Sequence, residues 1–224
     1  MTTGDESGLP AWDRWRRAQR PRLIAARKAL QPDDRRDRDR NIDHWLATGF
    51  GPVSGRTVGF CWPFAAEPEP RFAIRRWRAG GSRAALPVVQ AARRPLLFRE
   101  WWPGVAMARG VYNIPYPIDT GPVTPEVMLV PVNGFDAGGY RLGYGGAYFD
   151  RTLVAMRARP ICIGLGYETA RLESIDPQPH DIPFDFIVTE AGIERREGGR
   201  LHPVTPSQAE QFLVAHGMVD RTPV

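Results

Sequence analysis

LVPVNGFDAGGYRLGYGGAYFDRTL, residues 129–153, begins as an apolar run, stops abruptly in glycines and then opens a helical pattern. A segment of this kind delivers a strand into a tight loop and the loop into the first turn of a helix. Gly138, Gly139, Gly143, Gly145 and Gly146 allow left-handed or sharply curved backbone, so successive N–H groups can converge on one oxyanion. The helix expected from about Gly146 adds its unpaired N-terminal donors and the positive end of its dipole. Asp150 follows closely, where a divalent cation could bridge protein and phosphate. The loop has neither the Gly-Lys-Ser/Thr ending of a Walker A sequence nor a spaced GxGxxG, and tight turns use glycine whether or not anything binds.

Working outward, the apolar runs 57–61, 85–89, 95–99, 127–130, 161–166 and 186–189 read as strands. Helices are expected over 12–19 and 22–30, divided at Pro21, then from Pro32 to about residue 47, over 70–78, 147–157 and 207–216. Residues 192–200 are polar and glycine-rich and read as a hairpin or loop. Strands alternating with helices, several of them apolar throughout, imply an α/β fold with a largely parallel sheet. Ligands of such sheets bind beyond the carboxyl ends of the strands, and the glycine loop follows strand 127–130 at that end.

The chain has 224 residues, 42% of them hydrophobic, enough for one substantial core. No apolar run reaches membrane-spanning length. The start, MTTGDESGLPAWDRWRR, lacks the apolar core of a signal peptide. Cys61 and Cys162 are the only cysteines and both fall in expected strands, so a cytoplasmic, reducing setting is expected. The formal charge of +5 invites a nucleic-acid partner. However, Asp33, Asp34, Asp37 and Asp39 interleave with Arg35, Arg36, Arg38 and Arg40, the pattern of a solvated, self-compensating helix face. The aromatic-basic interleaving of known nucleic-acid modules is missing.

The segment PVNGFDAGGYRLGYGGAYFD resembles the signature of the 5-formyltetrahydrofolate cyclo-ligase family, also called methenyltetrahydrofolate synthetases. Further pieces follow in the family's order: the basic helix with its ALQPDDR step, CWPFAAEPE, YNIPYP, and PHDIPFDFIVTE. The resemblance implies an open α/β/α sandwich of the NagB/RpiA/CoA-transferase-like kind formed as one domain over 16–192. Residues 1–15 are then a flexible N-terminal segment, and 193–224 a C-terminal hairpin or loop and helix packed on the same domain. It implies ATP and Mg²⁺ as cofactors and 5-formyltetrahydrofolate as the small-molecule substrate, cyclised to 5,10-methenyltetrahydrofolate with release of ADP and phosphate. No membrane partner is expected, and none of these features sets an oligomeric state.

By the same resemblance, Arg141, Leu142, Gly143, Tyr144, Gly145, Gly146, Ala147, Tyr148 and Phe149 form the nucleotide loop, with Arg141 and Tyr148 as catalytic candidates. Arg141 offers a permanent cation and a donor fork for phosphate oxygens, or else pairs with a carboxylate. A Lys and an Arg four positions apart close over the nucleotide in relatives; Arg16 and Arg20 occupy those positions here. Asp150 and Asp181 are the implied metal carboxylates, with Asp185 competing for the second place. Phe64, Glu67, Glu69 and Tyr112 are the implied folate contacts, the carboxylates suiting the donor edge of a pterin. Either acid could instead cap the helix after Pro70. Arg16 in place of lysine, Pro68, and Ala170 where relatives often carry glutamine all depart from the family's pattern. These departures keep two other readings open: a non-enzymatic nucleotide-, folate- or RNA-binding regulator, and an ATP-dependent cyclase of another formylated heterocycle.

Overall fold

The computed structural model describes residues 8–218. In chain order the elements are α1 Ala11–Lys28, α2 Pro32–Gly49, β1 Thr57–Phe60, α3 Arg71–Ala79, β2 Arg83–Val88 and β3 Leu97–Trp101. There follow β4 Met107–Arg109, β5 Pro115–Pro117, β6 Val127–Pro131, β7 Gly134–Phe135, β8 Arg141–Leu142 and α4 Tyr148–Ala155. The chain continues with β9 Ile161–Leu165, β10 Phe186–Thr189, β11 Gly192–Glu197, β12 Arg200–Val204 and α5 Pro206–Ala215.

Eight strands form one sheet in the order β12-β11-β10-β9-β6-β1-β2-β3. The five central strands, β10 to β2, run parallel, and antiparallel strands close both edges. β6 shows why the middle is parallel. Val127 and Leu129 point into the core under α2, α3 and α5, while Met128 and Val130 pack with Leu153 of α4 on the opposite face. A strand covered on both sides has no polar alternation, and such strands are joined by crossovers over the faces. Leu129 is 1% exposed, and truncating a buried leucine to alanine costs about 2–5 kcal/mol.

The order and type of the central elements match the sequence reading. Some details differ, and the open choice between hairpin and loop at 192–200 is decided. Pro21 does not divide the first helix: α1 runs unbroken from Ala11, so the boundary expected at residue 16 falls inside it. Its Arg16, Leu23 and Arg27 are all buried, and this docking outweighs the hydrogen bond lost at proline. The polar stretch from residue 192 is a full hairpin, β11–β12, that extends the main sheet to Val204. The charged face of α2 is only partly solvated. Arg36–Asp33 and Arg40–Asp37 are exposed pairs, but Arg38 reaches Glu190, and Asp39 accepts from the Tyr167 hydroxyl at 2.8 Å. Burial pushes the Asp39 carboxyl above its usual range.

Both cysteines are unpaired, and among the described residues no helix is long and apolar enough to cross a membrane.

Candidate functional site

Beyond the carboxyl end of β6 the chain forms the short hairpin β7–β8 before reaching the glycine loop. Asp136 organises this hairpin: one carboxylate oxygen accepts from Gly138 N (2.9 Å) and Tyr140 N (3.2 Å), the other from Ile175 N (3.0 Å). Gly139, at φ +77°, completes that turn. Gly138 and Gly139 therefore serve the hairpin, and the cradle expected from five glycines narrows to residues 143–147. There Gly145 has φ +93° and Ala147 φ +46°, directly before α4. Among the described residues, no hydrogen bond uses a main-chain N–H from 143 to 147. A row of free amides leading into a helix N-terminus is an anion-binding arrangement. Leu142 is buried in the core and Phe149 packs on the second face, so these two support the loop rather than line it.

The arginines expected at this loop divide into two groups. Arg20 lies against it: Nε donates to Gly143 O at 3.0 Å, and its guanidinium sits beside Gly145. Arg16 is buried and points to the loop before β10, donating to Ile175 O, Asp176 O and both oxygens of Asp181. Arg141 also turns inward. It donates to Ile182 O at 2.6 Å, pairs with Asp150 at 2.9 Å, and lies 4.2 Å from the centroid of the Phe184 ring.

Both carboxylates expected on the metal are thus matched with an arginine. Among the described residues no group of three or more acidic, histidine or cysteine side chains could cage a metal ion. Asp181 also accepts from Gln178 N at 2.7 Å, and Asp150 from Ile182 N at 3.1 Å. Burial opposes the charge on Asp181, but Arg16 and the Gln178 amide outweigh it and hold the carboxyl below the usual range. Asp185 is engaged elsewhere, with Cys162 N and Arg159. This donor set fits a cation that arrives on a polyphosphate and takes one carboxylate, and it does not fit a protein-caged ion.

The folate candidates separate as clearly. Glu69 binds the start of α3, accepting from Arg71 N at 3.0 Å and pairing with the Arg71 side chain, so it acts as the helix cap. Glu67 is 6% exposed and lies inside a polar cluster that the sequence reading missed in part. Its Oε2 accepts from Phe64 N at 2.9 Å; its Oε1 accepts from the Tyr144 hydroxyl at 2.6 Å. Arg27 completes the cluster, donating to Ala65 O (3.0 Å), Asn133 Oδ1 (2.9 Å) and the Tyr144 oxygen (3.0 Å). Burial raises the Glu67 carboxyl above its usual range against the pull of these donors. Arg27 was legible in principle: it stands eleven residues, three helical turns, after Arg16 and so shares its face. Asn133 lies two residues beyond β6, within the PVNGF start of the segment that carries the resemblance, but nothing in the sequence marked it as a partner for Arg27.

Exposed aromatic rings surround these groups. Phe64 lies 6.2 Å from Tyr144 between centroids, and Tyr112 stands exposed in its own left-handed turn at φ +60°. The loop with free amides and the buried acid are therefore joined by one residue, Tyr144.

A solved structure of a 5,10-methenyltetrahydrofolate synthetase from Mycoplasma pneumoniae superimposes with a TM-score of 0.64 at 22% identity, covering 78% of this chain and 98% of that one. One from Aquifex aeolicus gives 0.67 at 23%, covering 83% and 94%. These likenesses establish the fold. In sequence, the chain is 28% identical over 177 residues to the 5-formyltetrahydrofolate cyclo-ligase of Escherichia coli K12, covering 75% of this chain and 96% of that protein. It is 29% identical over 178 residues to that of Mycolicibacterium smegmatis, covering 76% and 91%. The model of the 5-formyltetrahydrofolate cyclo-ligase family matches residues 13–190, which hold six of the eight strands of the main sheet and every candidate residue named above, and on that match this chain belongs to the family.

Proposed function

We propose that this protein catalyses the ATP-dependent cyclisation of 5-formyltetrahydrofolate to 5,10-methenyltetrahydrofolate, releasing ADP and phosphate. The observation that carries the reading is the 2.6 Å contact between Tyr144, within the run of free amides, and the buried acceptor Glu67. It supports the reading because it sets a run of free amides beside a buried acceptor, as a reaction between a polyphosphate and a pterin requires.

The chemical obstacle is the formyl amide, whose nitrogen donates into the carbonyl and makes its oxygen a very poor leaving group. Transfer of the γ-phosphoryl group to the formyl oxygen forms an O–P bond as the bond to the β-phosphate oxygen breaks. The folate's anilino nitrogen then attacks the activated carbon. The C–N bond forms, that nitrogen loses its proton, and the C–O bond breaks to release phosphate. No general base stronger than solvent is needed, because phosphorylation supplies the leaving group. The protein's work is positioning and charge stabilisation.

In this reading residues 143–147 and the N-terminus of α4 hold the phosphates, with Arg20 drawn onto them from α1. Asp150 would hold a Mg²⁺ carried by the nucleotide, which neutralises charge on the phosphates when bound. Arg141 fixes Asp150 and thereby positions it. Glu67 accepts the pterin's N–H donors, and Phe64 and Tyr112 offer ring faces. The two unpaired thiols, both pushed up by burial, agree with a reducing, cytoplasmic setting.

The test is an absorbance assay for the methenyl product in the near ultraviolet. Product is expected only when protein, 5-formyltetrahydrofolate, ATP and Mg²⁺ are all present. No product from the active stereoisomer with all four components would refute the function.

A further inference from the structure

The Tyr144 hydroxyl stands where the proposed pterin site needs its acceptor free. It takes a hydrogen bond from Arg27 at 3.0 Å and donates one to Glu67 at 2.6 Å, so it bridges a buried cation and a buried anion. With the phenol in place, Arg27 and Glu67 approach no closer than 3.8 Å. Asn133, 3% exposed and bonded to Arg27 through Oδ1, keeps its Nδ2 buried without a partner. The polar groups of the cluster are therefore not fully spent. The loop between strand β1 and helix α3 is strained where it meets them: Ala65 and Ala66 both have positive φ, +49° and +61°, and Arg27 holds the Ala65 carbonyl.

Tyr144 itself is 51% exposed. It sits in a run of five residues, 143–147, whose main-chain amides make no hydrogen bond among the described residues. Its anchorage is the hydroxyl, and the segment carrying it is the one that phosphate would claim.

We infer that Tyr144 is a specificity and coupling residue: its hydroxyl stands in for the pterin's N–H edge on Glu67, and nucleotide binding to residues 143–147 withdraws it. The inference rests on the proposed function and deepens it. Glu67 Oε2 keeps its bond from Phe64 N, but a buried Oε1 left without a donor is costly, so Tyr144 leaves easily only when another N–H donor arrives. A ligand edge lacking such donors cannot complete the exchange, and this selects for pterin-like rings. The same exchange links the two substrates, because whatever draws the loop onto phosphate frees Glu67. By linkage each substrate then raises the affinity for the other by the same factor.

The experiment is calorimetric titration of 5-formyltetrahydrofolate into wild type, Tyr144→Phe and Tyr144→Ala, each with and without Mg²⁺ and a non-hydrolysable ATP analogue. Wild type is expected to bind the folate at least about tenfold more tightly with the nucleotide present, the factor given by one charge-assisted hydrogen bond. Both variants should show a ratio near one, and Tyr144→Phe should bind folate without nucleotide as tightly as wild type does with it. Variants that keep the wild-type ratio, or a wild type with a ratio of one, overturn the coupling. The product assay separates the two failures. A wild type that makes product but shows no hydroxyl-dependent ratio refutes this inference alone, whereas a wild type that makes none refutes the function with it.

Discussion

Arg16 and Asp181, 165 positions apart in the chain, form a buried two-pronged ion pair, with contacts of 3.2 and 2.5 Å that tie the first helix to the loop before β10. Each residue answers the other, so in this state the arginine is not free for phosphate nor the aspartate for metal. Arg16 also donates to the carbonyls of Ile175 and Asp176, which leaves its whole donor fork engaged. This is a bidentate site that lysine could not fill.

Arg16→Ala should destabilise the protein by about 3–5 kcal/mol, because it leaves Asp181 buried and unpaired. Arg16→Lys should recover only part of that loss. Urea unfolding followed by circular dichroism measures both. The pH dependence has a definite sign. The folded Asp181 carboxyl lies below its unfolded value of about 3.9, so the pair's contribution is complete above that value and is lost as pH falls through the folded one. Wild type should therefore lose stability below about pH 4 more steeply than Arg16→Ala.

Arg20→Ala should behave differently. Among the described residues Arg20 makes one hydrogen bond, to the Gly143 carbonyl, with its guanidinium beside Gly145, so its removal should cost about 1 kcal/mol of stability or less. The KM for ATP should rise by about tenfold, with little change in the KM for the folate. Equal changes in both constants would place Arg20 outside the nucleotide site.

Two glycine substitutions separate backbone strain from ligand space. Gly145→Ala imposes a side chain at φ +93° and brings a Cβ within 3.2 Å of the Arg20 guanidinium, so stability and ATP binding should both fall. At Gly143 nothing lies within 4 Å of a Cβ. Gly143→Ala should keep its melting temperature within a few degrees and still lose nucleotide affinity, since the methyl group would occupy space reserved for phosphate. Thermal melts and nucleotide titration of the pair check this.

The central sheet was legible because β1, β2, β6, β9 and β10 are short apolar runs between turn residues, and burial on both faces leaves such runs without polar alternation. The element before them was misread for an instructive reason. Local propensity places a break at Pro21, whereas the buried contacts of Arg16, Leu23 and Arg27 come from segments far along the chain and override it. The pairs β4–β5 and β7–β8 are two or three residues long, too short to leave a periodic signal. At the site, the glycine loop was readable from its composition. The choice between Glu67 and Glu69 was not, because it depends on which acid faces Arg27 and which meets the first turn of α3. Those partners lie 40 residues upstream in one case and two residues downstream in the other.

Glu67 also predicts how substrate binding depends on acidity. Burial lifts its carboxyl above the ordinary value of about 4.3, and protonation removes acceptor capacity from the side facing the ligand. Affinity for 5-formyltetrahydrofolate should therefore weaken as pH falls through that raised value. Glu67→Gln should bind less tightly at neutral pH and show a flatter profile, a comparison that titration from acid to neutral pH provides.

The most direct measurement is a crystal structure of the protein with Mg²⁺ and a non-hydrolysable ATP analogue. The account predicts phosphate oxygens within hydrogen-bonding distance of the amides of residues 143–147, Arg20 turned onto them, and the Tyr144 hydroxyl gone from Glu67. A nucleotide bound elsewhere, with the amides of that loop still unbonded and Tyr144 still on Glu67, would contradict it.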